Sequence, residues 1–246
     1  MQIYQATFAG RPIRYAFHYP RTALYFRSWL KPVEGESWDA MATLEEIEAA
    51  HRLLMTGNPE DYAEYKALLG PTSHVLLRTG CCLFHAAAFL WRDRAWLLTA
   101  PSGTGKTTQF LNWRRLHPAE LTMICGDMPA LECRDDGSLW VHPTSWTGKE
   151  NIGSFRSAPL GGVVWLEQGR ENTIRPLSVR EAVPLLIGQF CVAPETEAEI
   201  RAITRLLDAM LCGHPVWKLT NRGDDQSTEL LRRTLAARTG GDNGTL

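Results

Sequence analysis

The residues Leu97 to Thr108, LLTAPSGTGKTT, set a glycine-rich turn, a lysine and two hydroxyls directly behind an apolar run of strand type. The spacing is that of a phosphate-binding loop, Gly-x-x-x-x-Gly-Lys-Ser/Thr, with Ala100 in the first glycine position and Gly105, Lys106 and Thr107 in the last three. Such a loop must curl until successive backbone N–H groups face an anion, and Gly103 and Gly105 supply that freedom. Lys106 brings a compact positive charge to the β- and γ-phosphates, and the Thr107 hydroxyl suits Mg²⁺. The expected cofactor-binding element is therefore Ala100, Pro101, Ser102, Gly103, Thr104, Gly105, Lys106, Thr107 and Thr108, and the expected ligand a nucleoside triphosphate. A helix over 109–115 adds its positive end to the same anion site.

A carboxylate is the next requirement. The run Leu121-Thr122-Met123-Ile124-Cys125-Gly126-Asp127 puts Asp127 at the end of an apolar strand, where it can hold Mg²⁺ directly or through water; the alternative is an ordinary turn aspartate. His85, in Leu83-Phe84-His85-Ala86-Ala87, lies on the strand beside the loop, where a lone histidine is more often a satisfied core residue. Lys149, in Trp146-Thr147-Gly148-Lys149, falls between strands. Only five of the 26 basic residues are lysines (Lys31, Lys66, Lys106, Lys149 and Lys218), and that scarcity sets a phosphate- or acceptor-binding role for Lys149 against the default of a surface lysine.

The elements that must position these groups follow from periodicity and turn chemistry. Two β-like runs at 2–8 and 11–17 flank Ala9-Gly10 as a hairpin. Thr43-Leu44-Glu45-Glu46 reads as a capping box, with Leu44, Ile47, His51 and Leu54 at helical spacing, and Asn58-Pro59 opens a second helix that runs to about Leu69 before Gly70-Pro71. Cys82–Trp91 and Arg94–Ala100 read as two strands of an antiparallel hairpin turning at Arg92-Asp93, where a doubly wound parallel fold would have a helix; the sheet is therefore mixed. Further strands are predicted at 121–125, 130–133, 139–142, 162–167 and 216–220, with Asp135-Asp136-Gly137 as a turn. Capping boxes at Ser178–Glu181 and Thr196–Glu199 open two helices, the second burying Ile200, Ile203, Leu207 and Met210, and a last helix starts at Asp224. The fold class is α/β, divided into a small N-terminal α+β module over 1–79, a nucleotide-binding domain over 80–238, and a loose tail over 239–246.

With 26 basic and 27 acidic residues among 246, no global field selects nucleic acid or an anionic membrane. The six cysteines have no metal-type spacing and read as reduced thiols of a cytoplasmic protein. No signal peptide or membrane span is predicted.

The order Phe84-His85-Ala86-Ala87, Ala100–Thr108, Gly126-Asp127-x-Pro129-Ala130-Leu131, Trp146-Thr147-Gly148-Lys149 and Pro159-Leu160 to Leu166-Glu167 resembles the HPr kinase-related small kinases, within the wider HPr kinase and PEP carboxykinase superfamily. The resemblance covers roughly Gly80 to Glu167. It implies a P-loop domain with a mixed, partly antiparallel sheet, ATP and Mg²⁺ as cofactors, and phosphorylation of a serine-type hydroxyl on a protein or peptide such as a ribosomal peptide precursor. On that resemblance His85 matches the histidine ahead of the phosphate loop and Asp127 the second of two adjacent aspartates; together with Lys149 they are the expected catalytic residues, and Thr107 and Asp127 the expected metal ligands. Gly126 stands where the family has the first of two adjacent aspartates, and the family's glycine-rich segment with a further acidic metal contact is not found around Glu150 to Arg156. The alternative class is a nucleotide-binding regulator or scaffold with weak or lost catalysis. The expected partner is the protein or peptide acceptor, with assembly into a homo-oligomer left open.

Overall fold

Ile3–Phe8 (β1) and Arg11–Tyr15 (β2) pair antiparallel across Ala9-Gly10, and Lys31–Val33 (β3) adds to the other edge of β1, giving a small sheet of order β2-β1-β3. This is a computed structural model, and it describes residues 2–54 and 57–239. A one-turn helix at Ala23–Phe26 (α1) leads into β3. Leu44–Leu53 (α2) follows with the Thr43–Glu46 capping box formed in both directions. Glu60–Ala67 (α3) starts one residue after Pro59, which is its N-cap.

The chain does not stop being helical at Gly70-Pro71. Leu69–Leu77 (α4) runs through both, because a proline in the first turn removes an N–H that has no intrahelical acceptor anyway. The single strand expected over 82–91 is also two: Cys81–Leu83 (β4) and Ala87–Trp91 (β5), with an irregular break at 84–86. There the backbone N–H groups of Phe84, His85 and Ala86 donate to the carbonyls of Pro129, Gln189 and Asp127 rather than to a neighbouring strand.

Arg94–Thr99 (β6) pairs antiparallel with β5, with Arg92 and Asp93 both at positive φ as a two-residue hairpin turn requires. Lys106–Leu116 (α5), Thr122–Cys125 (β7), Ala130–Cys133 (β8), Leu139–His142 (β9) and Ala158–Gln168 (β10) come next. Thr173–Pro176 (β11) is a short edge strand that the sequence pattern did not reveal. Then come Val179–Leu186 (α6), Glu197–Gly213 (α7), Val216–Asn221 (β12) and Asp225–Thr239 (α8). Ile200 is exposed, so α7 buries Ile203, Leu206, Leu207 and Met210 instead. The tail expected over 239–246 lies, from residue 240 on, outside the described residues.

The larger sheet is mixed and has the order β4-β8-β9-β10-β6-β5-β7, with β12 on β10 and β11 on β12. β10 runs parallel to β6 and β12 but antiparallel to β9, and an irregularity between Leu160 and Gly162 lets the long strand bend from one part of the sheet into the other. Strand alternation sorts the core into two layers. Ala87, Phe89 and Trp91 face Phe110 and Trp113 of α5 and Leu231 and Leu235 of α8, while Ala88 and Leu90 join the layer covered by α6 and α7. A third apolar cluster joins the N-terminal segment to the sheet through Cys81, Leu83, Ala130 and Trp146. Arg11 reinforces that join by pairing with Glu132 of β8.

Candidate active site

The loop 100–105 leaves the end of β6 and turns into α5, with Gly103 at φ 81° and Gly105 at φ 106°. Gly105 is the N-cap of α5, so the left-handed backbone there aims the first N–H groups of the helix back into the loop. Buried Gln109 holds the helix in place: its amide NH₂ donates to Asn221 Oδ1 (3.1 Å) and Ser227 Oγ (2.6 Å), and its carbonyl accepts from Thr228 Oγ1 (3.0 Å). Lys106 is 8% exposed, and its Nζ donates to Ala100 O at 2.9 Å. Outside the loop, a groove of about 320 Å³ opens between residues 101–104 and the end of β10 at Trp165–Gln168.

The break between β4 and β5 brings His85 to Asp127. Its Nε2 lies 3.6 Å from Asp127 Oδ1, and its Nδ1 lies 3.2 Å from Gln189 Oε1. With Nδ1–H donating to Gln189, Nε2 presents a lone pair toward the carboxylate, and two acceptors then face the same space. A single hydroxyl proton within reach of both atoms would satisfy them. Thr99 Oγ1 donates to the His85 carbonyl at 2.8 Å and fixes the ring's backbone. Burial, and next the Lys106 charge, holds the His85 pKa below its ordinary 6.5, with Asp127 acting in the opposite direction; the ring is neutral near pH 7. Burial likewise lowers Lys106, against the pull of Asp127. The same three groups therefore act on one another at the edge of the sheet.

Lys66, on α3, has its Nζ 3.4 Å from Asp127 Oδ2, and sequence reasoning gave it no role. Its signal was the one used for Lys149, membership of a set of five lysines. Gln189 was missed too, because nothing in a lone glutamine ahead of a buried phenylalanine announces a partner for His85. Lys149 itself is exposed, and among the described residues its side chain makes no hydrogen bond or ion pair. It does sit on the loop that lies against the site: a Cβ on the preceding Gly148 would be 3.4 Å from Asp127 Cβ.

Gly126 has a steric explanation. A Cβ there would collide with Thr147 O and lie 3.1 Å from Ile152 O, so the backbone of 147–152 fills the volume a side chain would need. Met128 N–H donates to Trp146 O at 3.0 Å and Ser154 N–H to Ile124 O at 3.1 Å, which ties that loop to both sides of Gly126.

These residues suit a polyphosphate: curled backbone, a buried ammonium and a helix N-terminus all favour negative charge. Thr107 and Asp127 are oxygen donors of the kind hard divalent cations take. Among the described residues no group of three or more His, Cys, Asp or Glu side chains gathers to hold a metal, so a cation here needs phosphate oxygens to complete its shell. No helix among the described residues is long and apolar enough to cross a membrane.

Fold and site together define a mixed α/β protein with a curled mixed sheet and a lysine-bearing glycine loop at the strand edge. Among solved structures, the chain is similar to the HPr(Ser) kinase/phosphatase from Coxiella burnetii, with 12% identity and a TM-score of 0.36 over 64% of this chain and 95% of that one. No family model matches the chain, and no curated protein does.

Proposed function

We propose that this chain is an ATP-dependent phosphotransferase of the HPr kinase-related kind, moving the γ-phosphoryl group to a serine-type hydroxyl of a protein or peptide. The observation that carries the reading is the meeting of His85 and Asp127, 3.6 Å apart, within electrostatic reach of the loop lysine Lys106. A glycine loop alone would serve a switch equally well. A neutral imidazole and a carboxylate set side by side as acceptors add a partner for the acceptor's O–H.

In this reading Lys106 and the N–H groups of 100–108 bind the triphosphate and hold the γ-phosphorus in line with the acceptor. Thr107 and Asp127 would hold Mg²⁺, which would supply charge neutralisation on the phosphates. Asp127 accepts the hydroxyl proton as the new O–P bond forms and the bond from the γ-phosphorus to the bridging oxygen breaks, leaving ADP. His85 Nε2 faces the same hydroxyl proton with its lone pair and so positions the hydroxyl beside that carboxylate, and Gln189 holds His85 in the required tautomer. Lys149 reaches the transferring group or an acidic acceptor from the loop beside Asp127. Residues 1–79 act as the module that covers the acceptor side of the site, and the protein works in the cytoplasm.

The test is transfer of label from γ-labelled ATP, with Mg²⁺, into cell extract. A labelled protein or peptide that disappears with Lys106→Ala or Asp127→Asn supports the reading, and label appearing only as free phosphate in all cases counts against it.

Gly126 favours a second reading. Because 147–152 closes the place of a second carboxylate, a nucleotide-binding regulator or scaffold with little turnover fits the same loop. Tight Mg-ATP binding with neither transfer nor hydrolysis would select it.

A further inference from the structure

Beside Asp127, α3 and the turn after α1 close over the loop 145–148 and leave a slot of about 50 Å³. That space admits a hydroxymethyl-sized group and little more. Lys66, Asp127 and Ser145 line it. Past Arg27 the slot continues into a groove of about 220 Å³, with Arg27, Ser145 and Thr147 common to both. The groove ends on Trp29 and Phe155, rings 4.7 Å apart, with Phe155 68% exposed.

Arg27 marks where the two spaces join. Its backbone sits at φ 55°, ψ −128°, the first central position of a type II′ turn, which favours glycine strongly over any side chain. The side chain held at that cost is exposed and makes no hydrogen bond or ion pair with the described residues. Strain of this kind persists where the surrounding structure enforces it, and it clusters at ligand clamps.

We infer that slot and groove form the acceptor site, and that its occupant is an extended peptide segment: a serine-type hydroxyl enters the slot at Asp127, an acidic group pairs with Arg27, and an apolar side chain packs on Trp29 and Phe155. The inference rests on the phosphotransferase reading for the fate of the hydroxyl. Charge argues for the acidic group, since Arg27 and Lys66 flank a passage in whose lining, among the described residues, the one carboxylate is Asp127, already facing Lys66 and His85. Size argues for a chain, because a slot this narrow takes one small side chain while the groove beyond accepts more of the same molecule. The N-terminal module is thereby the part of the protein that selects the substrate.

The experiment uses the full chain and two readouts on one set of fluorescent serine-containing decapeptides that vary acidic, basic and apolar residues around the serine. Binding is measured by anisotropy, and transfer by label from Mg-γ-labelled ATP. Peptides with both an acidic and a large apolar residue are expected to bind about tenfold or more tightly than basic ones. Phe155→Ser is expected to remove the apolar preference. Arg27→Gly relieves the strained backbone, so it is expected to keep or raise the thermal midpoint while losing the acidic preference; a folding defect cannot produce that pair of results. Selective binding without transfer overturns the phosphotransferase reading and leaves the groove standing. Transfer that shows no acidic or apolar preference, or is unchanged in both variants, overturns the groove and leaves the kinase. Transfer to small hydroxyl compounds and to no peptide also overturns it.

Discussion

The carbonyl oxygen of Thr147 occupies the space that a side chain on Gly126 would need, and Ile152 O closes the same space from 3.1 Å. A backbone carbonyl cannot rotate away as a flexible side chain can. Gly126→Ala should therefore displace the loop 145–153 or strain β7, at roughly the 1–3 kcal/mol typical of overpacking. Gly126→Asp should lower activity rather than restore a second carboxylate. A raised turnover in Gly126→Asp, or an unchanged melting midpoint in Gly126→Ala, would show that the loop gives way.

Mg-ATP should raise the melting midpoint, because a ligand selective for the folded state shifts unfolding by mass action. At about a hundred times Kd the gain is about 2.7 kcal/mol, or roughly 5–10 °C for a chain of this size. Lys106→Ala should abolish most of it. The same substitution also frees Ala100 O from its Nζ partner, so the comparison is made on the difference with and without nucleotide.

Asp127→Asn should lower kcat by about 10²–10⁴-fold with a much smaller effect on ATP affinity, as expected for a group that takes a proton in the transition state. It also leaves Lys66 without its carboxylate. Single-turnover transfer and nucleotide titration on the same variant separate the two effects, and near-parent turnover would reassign the base.

The pH profile should carry the mark of His85. Burial and the Lys106 charge lower its pKa, while the Asp127 charge and the hydrogen bond that Nδ1–H donates to Gln189 Oε1 raise it. Activity that requires the neutral ring should fall only on the acid side, below pH 6.5. Gln189→Leu removes a raising influence, so the acid limb should move to lower pH; a shift to higher pH would contradict the assignment of Nδ1–H as donor. The folded state also binds this proton less readily than the unfolded chain, so His85 subtracts stability as pH falls below 6.5.

A second pH effect belongs to the fold alone. Hydrogen bonds from Arg232, at 2.8 Å (Nε) and 2.6 Å (Nη2), hold the Glu120 carboxyl at about 2, well below its ordinary 4.5. A depressed folded pKa gives stability that is complete above the unfolded value and lost as pH falls from 4.5 toward 2. Glu120→Gln should flatten the acid limb of the denaturation midpoint between those values and change it less at pH 3 than at pH 7. Lys149→Ala should leave stability within about 0.5 kcal/mol, as befits an exposed side chain, and any loss should appear in transfer rather than ATP binding.

What the sequence determined by itself was local. Gly103, Gly105, Lys106 and Thr107 needed only their own spacing to be read as a curled anion loop, and the β5–β6 hairpin ahead of it was legible because two residues cannot connect strands in any other way. The capping boxes at Thr43 and Ser178 were equally local, but the one at Thr196 formed only in half. Glu199 turns away to His74 (2.8 Å) on α4, a partner 125 residues off that no local pattern contains. Tertiary structure alone decided that the apolar run at 81–91 breaks at His85, since the hydrogen bonds that break it come from Asp127, Pro129 and Gln189. It alone brought Lys66 to Asp127 and packed Thr147 over Gly126. Periodicity and turn residues report interactions within a few positions along the chain, whereas a site is assembled by contacts between segments whose separation in sequence carries no trace of their meeting.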